Sequence, residues 1–251
     1  MSLFDLSGRW AVVTGANTGI GRAIALGLAE AGADIVGVGR SAMTETAADV
    51  KAAGRRFVAI AADLSQAGSA AAVIGKALAA GALPDILVNN AGTIRRADSL
   101  DFTEEDWDAV LDTNLKSVFF LCQAFARAAL AAERRAKIIN IASMLSFQGG
   151  VRVPSYTAAK SGLAGITRLL ANEWAARGIN VNAIAPGYVE TNNTAALRSD
   201  VERNADILKR IPAGRWARPE DMAGAAVFLA SPASDYVHGA ILPVDGGWLA
   251  R

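Results

Sequence analysis

The sequence predicts a single α/β domain built around a doubly wound, parallel, seven-stranded sheet of the Rossmann type. Short β-rich runs alternate with alanine- and leucine-rich segments of helical periodicity, and this alternation favours parallel pairing. The strand runs are almost continuously apolar, as expected when helices cover both faces of a sheet. No Ser/Pro/Gly-rich linker divides residues 1–251, so one domain is predicted over 1–251. The predicted strands are Trp10–Thr14, Asp34–Val38, Arg56–Ala61, Asp85–Asn89, Lys137–Ala142, Asn180–Ala185 and Ala240–Val244.

The first strand leads into a glycine-rich turn. Residues 6–22 read LSGRWAVVTGANTGIGR, with glycines at 15, 19 and 21 before an amphipathic helical run. Glycines permit a tight turn and let backbone N–H groups approach a pyrophosphate at the positive end of the following helix. The position between strand and helix therefore predicts a dinucleotide cradle, although a lone glycine motif can also mark only a strand-to-helix turn.

The end of the second strand bears on cofactor choice. An NAD site usually carries an acid there, which binds both ribose hydroxyls. This chain has Gly39, Arg40 and Ser41 instead. A guanidinium and a hydroxyl suit the 2′-phosphate of NADP, so NADP is favoured as cofactor and NAD remains possible.

Polar or small residues also follow the later strands. Asp63 follows the third strand, Asn89 and Gly92 the fourth, Ser143 the fifth, and the Pro186–Gly187 pair the sixth. Carboxyl ends of parallel strands meet at one sheet edge, where doubly wound folds bind their ligands. The sequence therefore predicts one crevice at this edge.

A tyrosine and a lysine stand four residues apart in the run YTAAK, from Tyr156 to Lys160. On a helix this spacing stacks the phenol and the ammonium on one face, where the cation can stabilise a phenolate. Free tyrosine titrates near ~10, so proton transfer near neutrality needs a pKa shift of up to ~3 units. Ser143 would offer its hydroxyl to a substrate oxygen nearby. The same spacing is also common in ordinary helix packing.

Residues 187–215 interrupt the alternation of strands and helices. Polar YVETNNT is followed by the charged run RSDVERNADILKR. We predict a helical lid over the substrate, and a solvated helix pair is the alternative.

Composition excludes several classes of protein. A net charge of +1 gives no electrostatic argument for nucleic acid or an anionic membrane, and no stretch approaches ~18 apolar residues. The first ten residues lack the pattern of a secretory signal, so a cytoplasmic location is expected. The single cysteine, Cys122, and the single histidine, His238, argue for structural roles and predict no metal site and no His-based triad.

Taken together, seven motifs resemble the short-chain dehydrogenase/reductase family across essentially the whole chain: TGANTGIG, DL, NNAG, Asn114, Ser143, YTAAK and PG. The resemblance implies that Ser143 orients the substrate oxygen and that Tyr156 is the general acid/base. It implies that Lys160 holds the nicotinamide ribose and lowers the pKa of Tyr156, and that Asn114 anchors a proton-relaying water. Asn89 is expected to brace the local backbone.

The same resemblance implies a cofactor site. Asp63 and Leu64 would contact adenine, and Thr191 would bind the nicotinamide carboxamide. The full set of expected cofactor residues is Gly15, Asn17, Thr18, Gly19, Ile20, Gly21, Arg40, Ser41, Asp63, Leu64, Asn90, Ala91, Gly92, Tyr156, Lys160, Pro186, Gly187, Val189 and Thr191.

Several stretches resemble family members that act on deoxy-ketogluconate-type sugar acids. Such a substrate calls for arginine, amides and a polar lid. The expected substrate residues are Arg95, Ser143, Gln148, Arg152, Asn192 and Asn193, with Arg95 and Arg152 first. A 3-oxoacyl carrier-protein reductase is the alternative enzyme, since Arg95, Arg96, Arg134 and Arg135 offer a basic patch. A non-catalytic nucleotide-sensing protein is a third reading.

The resemblance also implies a homotetramer. The helical segments 99–132 and 155–177 are apolar enough to pack against symmetry mates. Trp248 would then lie against a neighbouring subunit or cap the core of its own chain.

Overall fold

The computed structural model describes residues 2–251 and contains one seven-stranded parallel sheet of order β3-β2-β1-β4-β5-β6-β7. The fold class predicted from the sequence is confirmed, and each strand lies within one residue of its predicted bounds. The strands are β1 (Trp10–Thr14), β2 (Asp34–Gly39), β3 (Phe57–Ala61), β4 (Ile86–Asn89), β5 (Ala136–Ile141), β6 (Ile179–Pro186) and β7 (Ile241–Val244).

Helices cover both faces of the sheet and explain why its strands are apolar throughout. Val12 and Val13 are consecutive in β1 and belong to different apolar clusters, one on each face. Cys122 is fully buried in one of them, which confirms its predicted packing role. The helices are α1 (Gly19–Glu30), α2 (Thr44–Ala52), α3 (Ser69–Ala79), α4 (Glu104–Leu111), α5 (Ser117–Ala131), α6 (Pro154–Trp174), α7 (Ala195–Ser199), α8 (Val201–Arg210) and α9 (Ala223–Ala230).

The strand order reverses between β1 and β4. The chain runs outward from β1 through β2 to β3, then returns to pair β4 with the other side of β1. Loops leaving these two strands diverge at such a point and leave a crevice between them. No helix within residues 2–251 is long and apolar enough to cross a membrane.

The segment after β6 is helical and packs on the C-terminal tail. Ile207 and Ile211 are buried in one cluster with Met144, Trp216 and Trp248. Trp248 therefore caps the core of its own chain, which decides between the two alternatives for this residue. The apolar face of this segment therefore packs against the rest of the chain.

Candidate active site

The glycine-rich turn after β1 is locked to the end of β4 by hydrogen bonds. Thr14 Oγ1 accepts from the backbone N–H groups of Asn90 and Ala91, each at 3.0 Å. The Asn90 side-chain amide donates to the Thr14 carbonyl at 2.9 Å. Gly15 has φ +67°, and a Cβ there would lie 2.7 Å from Asn90 Nδ2. Only glycine fits this position, because both the backbone conformation and the close approach exclude a side chain.

Asn90 therefore takes the bracing role that the sequence analysis gave to Asn89, and the expectation for Asn89 is wrong. The Asn89 amide points into the core, where it donates to Asn140 Oδ1 at 2.9 Å and contacts Cys122 Sγ. The alternation of side chains along β4 explains the difference, since neighbouring residues face opposite sides of a strand.

A crevice of about 1040 Å³ opens at the carboxyl ends of the strands. Its volume is at the upper end of the range of ~300–1,000 Å³ typical of ligand sites, which suits an extended dinucleotide. The expected cofactor residues that line it are Gly15, Asn17, Thr18, Gly19, Ile20, Arg40, Ser41, Asp63, Leu64, Asn90, Ala91, Gly92, Tyr156, Lys160 and Thr191.

Four expected cofactor residues do not line the crevice. A Cβ on Gly21 would overlap the Gly15 carbonyl, so Gly21 serves the packing of α1 beneath the turn. Gly187 packs directly against Asp245, because a Cβ added to Gly187 would lie 2.7 Å from the Asp245 Cα. Val189 is buried and pairs with Ala217, and Pro186 is the last residue of β6.

The β2 end of the crevice fits a phosphorylated ribose. Gly39 presents no carboxylate, and Arg40 has no acidic partner within 4.0 Å in the part of the chain that the structure describes. Asp63 is the nearby acid. Hydrogen bonds from Ser65 lower the pKa of Asp63, and the Arg40 charge adds to that effect. An unpaired guanidinium at a strand end that carries no carboxylate suits the 2′-phosphate of NADP better than the ribose hydroxyls of NAD.

The Tyr156 side chain lines the crevice beside Ser143. Both Tyr156 and Lys160 lie on α6 and line the crevice, with Lys160 Nζ 5.5 Å from the centre of the tyrosine ring. The Ser143 hydroxyl neighbours the Tyr156 phenol, and its Oγ accepts from the Leu145 N–H at 3.2 Å. The predicted grouping of these three side chains is thus present in the structure.

Burial controls the protonation of Tyr156 and Lys160, and it shifts the Tyr156 pKa in the direction opposite to the predicted one. Burial raises the pKa of Tyr156, while the Ser143 hydrogen bond and the Arg96 charge oppose that shift. Burial also lowers the pKa of Lys160 to about 8. The Lys160 ammonium donates to the Ile141 carbonyl at 2.5 Å rather than to the phenol. The expected lowering of the Tyr156 pKa by Lys160 is therefore not found in this arrangement.

Asn114 lies in a π-helical turn, Asp112–Lys116, between α4 and α5. Its side-chain oxygen accepts from the Thr93 N–H and its amide donates to the Thr93 carbonyl, both at 2.8 Å. The turn therefore fixes the loop after β4 beside the crevice, and π-helical turns are frequent at functional sites. The water-anchoring role of Asn114 stays a prediction.

The expected substrate residues separate into two groups. Arg95, Asn192 and Asn193 line the crevice, although Arg95 also pairs with Asp106 at 3.0 Å. Ser143, Gln148 and Arg152 do not line it, and of these Ser143 neighbours the Tyr156 phenol. Gln148 accepts from the Trp248 indole at 3.3 Å, and Arg152 lies 3.9 Å from Asp98.

Arg96 is the arginine that the sequence analysis did not select for the substrate. It donates to the Asn193 carbonyl at 3.0 Å, and its charge favours the phenolate of Tyr156. Within residues 2–251 it has no acidic partner within 4.0 Å. In the sequence, Arg96 is marked only by its position next to Arg95, and that position does not show which of the two arginines is paired with an acid.

These features define an oxidoreductase that uses a pyridine nucleotide: a dinucleotide-sized crevice at the reversal of strand order is lined by the Tyr156 phenol and the buried Lys160 amine, with the Ser143 hydroxyl beside the phenol. The family model described as "Enoyl-(Acyl carrier protein) reductase" matches residues 15–249. The chain belongs to the short-chain dehydrogenase/reductase family.

Relatives and solved structures match over the full length. The chain is 60% identical to a 2-dehydro-3-deoxy-D-gluconate 5-dehydrogenase of Escherichia coli over 251 residues, covering 100% of this chain and 99% of that protein. A Bacillus subtilis protein of the same name is 55% identical over 249 residues, covering 99% and 97%. An NADP-bound Agrobacterium tumefaciens structure, proposed to be a 2-deoxy-D-gluconate 3-dehydrogenase, has 62% identity, a TM-score of 0.95 and 100% coverage of both chains.

Proposed function

We propose that this enzyme uses NADP to interconvert an alcohol and a ketone on a deoxy-ketogluconate-type sugar acid. The observation that carries the chemistry is the Tyr156 phenol in the crevice lining, next to the Ser143 hydroxyl and with Lys160 on the same helix face. The substrate class is supported by the 60% identity to the E. coli 2-dehydro-3-deoxy-D-gluconate 5-dehydrogenase.

In this proposal Ser143 and Lys160 have binding roles, and Tyr156 transfers the proton. NADP, when bound, supplies the hydride chemistry. Ser143 would orient the substrate oxygen and Tyr156 would give or take its proton, a step typically worth ~10²–10⁴-fold in rate. Because burial raises its pKa, Tyr156 holds its proton near neutrality and is prepared to donate it to a carbonyl. Lys160, behind the phenol, would hold the nicotinamide ribose.

Arg40 and Ser41 are the residues proposed to hold the 2′-phosphate, and NADP-bound relatives support this cofactor. Replacing Arg40→Ala should weaken NADPH selectively, because a guanidinium–phosphate contact is lost only with that cofactor. Values of kcat/KM for NADPH and NADH provide the measurement. Equal losses with both cofactors would refute the assignment of Arg40.

The polar wall of the crevice supports a sugar-acid substrate. Asn192 and Asn193 line it with side-chain amides, and Arg96, which lies outside the lining, donates to the Asn193 carbonyl and favours the Tyr156 phenolate by its charge. The deciding experiment is a panel of hexonates and deoxy-ketohexonates assayed with both cofactors by cofactor absorbance. We expect the highest kcat/KM for a deoxy-ketogluconate. A preference for uncharged ketones would contradict the proposed substrate class.

A 3-oxoacyl carrier-protein reductase is the second candidate. It is favoured by 40% identity to the Vibrio cholerae 3-oxoacyl-[acyl-carrier-protein] reductase, covering 97% of this chain and 98% of that protein. The cations for an acidic carrier are, however, partly engaged, since Arg95 pairs with Asp106 and Arg134 with the buried Asp85. Acyl thioesters in the same panel test this candidate. No turnover with any compound would favour a nucleotide-sensing protein.

Three further expectations belong to the same proposal. Residues 187–215 would act as a lid, which the packing of Thr191, Asn192 and Asn193 at the crevice supports. A homotetramer is supported by half-exposed apolar side chains on α5 and α6. A cytoplasmic location stays a prediction that cell fractionation tests.

A further inference from the structure

A hydrogen bond links the glycine-rich turn to the end of β2. Asn17 Nδ2 donates to Ser41 Oγ at 2.9 Å, and both residues line the crevice beside Arg40. Because Ser41 Oγ accepts this bond, its own hydroxyl proton is left to be donated. No acceptor for that proton lies among residues 2–251. Asn17 therefore donates to Ser41, and the Ser41 hydroxyl can in turn donate into the crevice. Linked hydrogen bonds polarise one another, which makes the Ser41 hydroxyl a stronger donor.

The same asparagine also fills the space above Gly39. A Cβ on residue 39 would lie 3.2 Å from Asn17 Oδ1 and 3.6 Å from its Cγ. That distance to Oδ1 is short for a carbon, so a side chain at position 39 would crowd Asn17 and shift it by a few tenths of an ångström. Position 39 is where a site for the unphosphorylated cofactor places its acid.

We propose that Asn17 is a positioning residue that selects the phosphorylated cofactor. It orients the Ser41 hydroxyl toward the 2′-phosphate, and it crowds the Cβ that a ribose-binding acid at position 39 would add. The proposal rests on the proposed use of NADP and goes beyond it, because it makes cofactor choice a property of two coupled positions on two different loops.

Binding of 2′,5′-ADP and 5′-AMP tests the first part, because the two ligands differ only in the 2′-phosphate. Isothermal titration calorimetry on the full chain needs no substrate. Asn17→Asp keeps the shape, cannot donate to Ser41, and adds a negative charge. We expect it to raise the Kd for 2′,5′-ADP roughly 10- to 100-fold and that for 5′-AMP less than about 3-fold. Asn17→Ser, which retains a small polar side chain, should give a smaller loss in the same direction. Equal weakening of both ligands would overturn the proposal.

A pair of variants tests the steric part. Gly39→Asp alone should tighten NADH by less than about 2-fold, because Asn17 holds the space that the carboxylate needs. Gly39→Asp combined with Asn17→Gly should tighten NADH by roughly 10-fold over Gly39→Asp alone. If Gly39→Asp alone binds NADH as tightly as the double variant, Asn17 does not block position 39. Thermal unfolding of each variant checks that the fold is retained.

The wild-type chain separates this proposal from the one on which it rests. A wild type that binds 5′-AMP as tightly as 2′,5′-ADP contradicts the proposed NADP preference, and the role of Asn17 falls with it. A wild type that prefers 2′,5′-ADP, with Asn17→Asp leaving that preference intact, contradicts only the role of Asn17.

Discussion

Burial, rather than the neighbouring charge, dominates the titration of the two ionisable side chains of the catalytic group. Within the described residues 2–251, Lys160 has no carboxylate within 4.0 Å, and its ammonium is held by a backbone carbonyl. Its pKa falls to about 8, so it loses its proton far more readily than a free lysine. Tyr156 shifts in the opposite sense and keeps its proton. Each shift favours the neutral form, as desolvation requires.

The Lys160 shift predicts how stability depends on pH. From about pH 8 to pH 10, an unfolded lysine with a pKa near 10.5 binds more protons than the folded one. Lys160 therefore contributes a rise with pH to the free energy of unfolding across this window, while the buried Cys122 thiol, whose pKa is raised to about 12, contributes in the opposite direction. Lys160→Met removes the group and should flatten that rise, as measured by urea unfolding at both ends of the window.

Above about pH 10 the raised pKa of Tyr156 contributes in the opposite direction, so the comparison stays below it. A Lys160→Met profile as steep as that of the wild type would show that Lys160 titrates normally.

Arg96 is the arginine whose removal should harm substrate binding most. Its guanidinium has no acidic partner within 4.0 Å among residues 2–251, donates to the Asn193 carbonyl at 3.0 Å, and favours the Tyr156 phenolate by its charge. Hydrogen bonds to charged groups are worth ~1.5–3 kcal/mol, so Arg96→Gln should raise the substrate KM by roughly 10- to 100-fold. Steady-state kinetics at saturating cofactor provide the measurement.

Arg152→Gln is the matched control. Its side chain is exposed and 3.9 Å from Asp98, so its loss should change KM by less than about 3-fold. A larger effect at Arg152 than at Arg96 would restore the assignment made from the sequence.

At the scale of elements, the C-terminal tail connects α8 to the loop after β5. The Trp248 indole donates to Gln148, and the Arg210 guanidinium lies 4.0 Å from the centre of the Trp248 ring. Tyr188 packs edge-on against both Trp248 and Trp216. The proposed lid and the Ser143 loop therefore share one buried aromatic cluster.

Trp248→Ala should loosen this connection. Truncating a buried tryptophan costs ~3–5 kcal/mol of unfolding free energy, and the substrate KM should rise because the lid loses its anchor. Trp248→Phe keeps much of the ring packing but loses the hydrogen bond to Gln148, so we expect an intermediate effect. Urea unfolding and steady-state kinetics measure the two effects. A destabilised Trp248→Ala variant with unchanged KM would mean that the cluster serves stability only.

The elements themselves were predictable because each depends on local pattern. Apolar runs place the seven strands within one residue, and the interval from Tyr156 to Lys160 places both side chains on one face of α6. Parallel pairing then brings Gly15, Asn90 and Ser143 to one sheet edge. These outcomes need only hydrophobic periodicity and the topology of a doubly wound sheet.

Side-chain partners were not predictable, because each is set by a distant residue. The pairing of Arg95 with Asp106, Gln148 with Trp248 and Asn89 with Asn140 depends on contacts across the fold. The predicted direction of the Tyr156 pKa shift was wrong for the same reason. The burial of Tyr156 and the hydrogen bond from Lys160 to the Ile141 carbonyl are visible only in three dimensions.

At the scale of the whole molecule, exposed apolar side chains on α5 and α6 support association. Phe120 is 47% exposed and Leu169 is 48% exposed. We expect light scattering to give four times the chain mass of 25.9 kDa. Phe120→Glu and Leu169→Glu should each lower the measured mass, because a charge in an apolar interface is costly.

Leu78→Glu on α3 is the control, since Leu78 is similarly exposed at 43% and lies on a different helix. A tetramer unaffected by changes on α5 and α6 would place the interface elsewhere, and a monomeric wild type would contradict the expected assembly.

The central claim is that Tyr156 transfers the proton beside a bound pyridine nucleotide. The most direct test is kcat/KM of Tyr156→Phe for a deoxy-ketogluconate, measured together with the Kd for NADPH, because phenylalanine removes only the hydroxyl. We predict a fall of ~10²–10⁴-fold in kcat/KM with the NADPH Kd changed by less than about 3-fold. Retained turnover in Tyr156→Phe would contradict the claim.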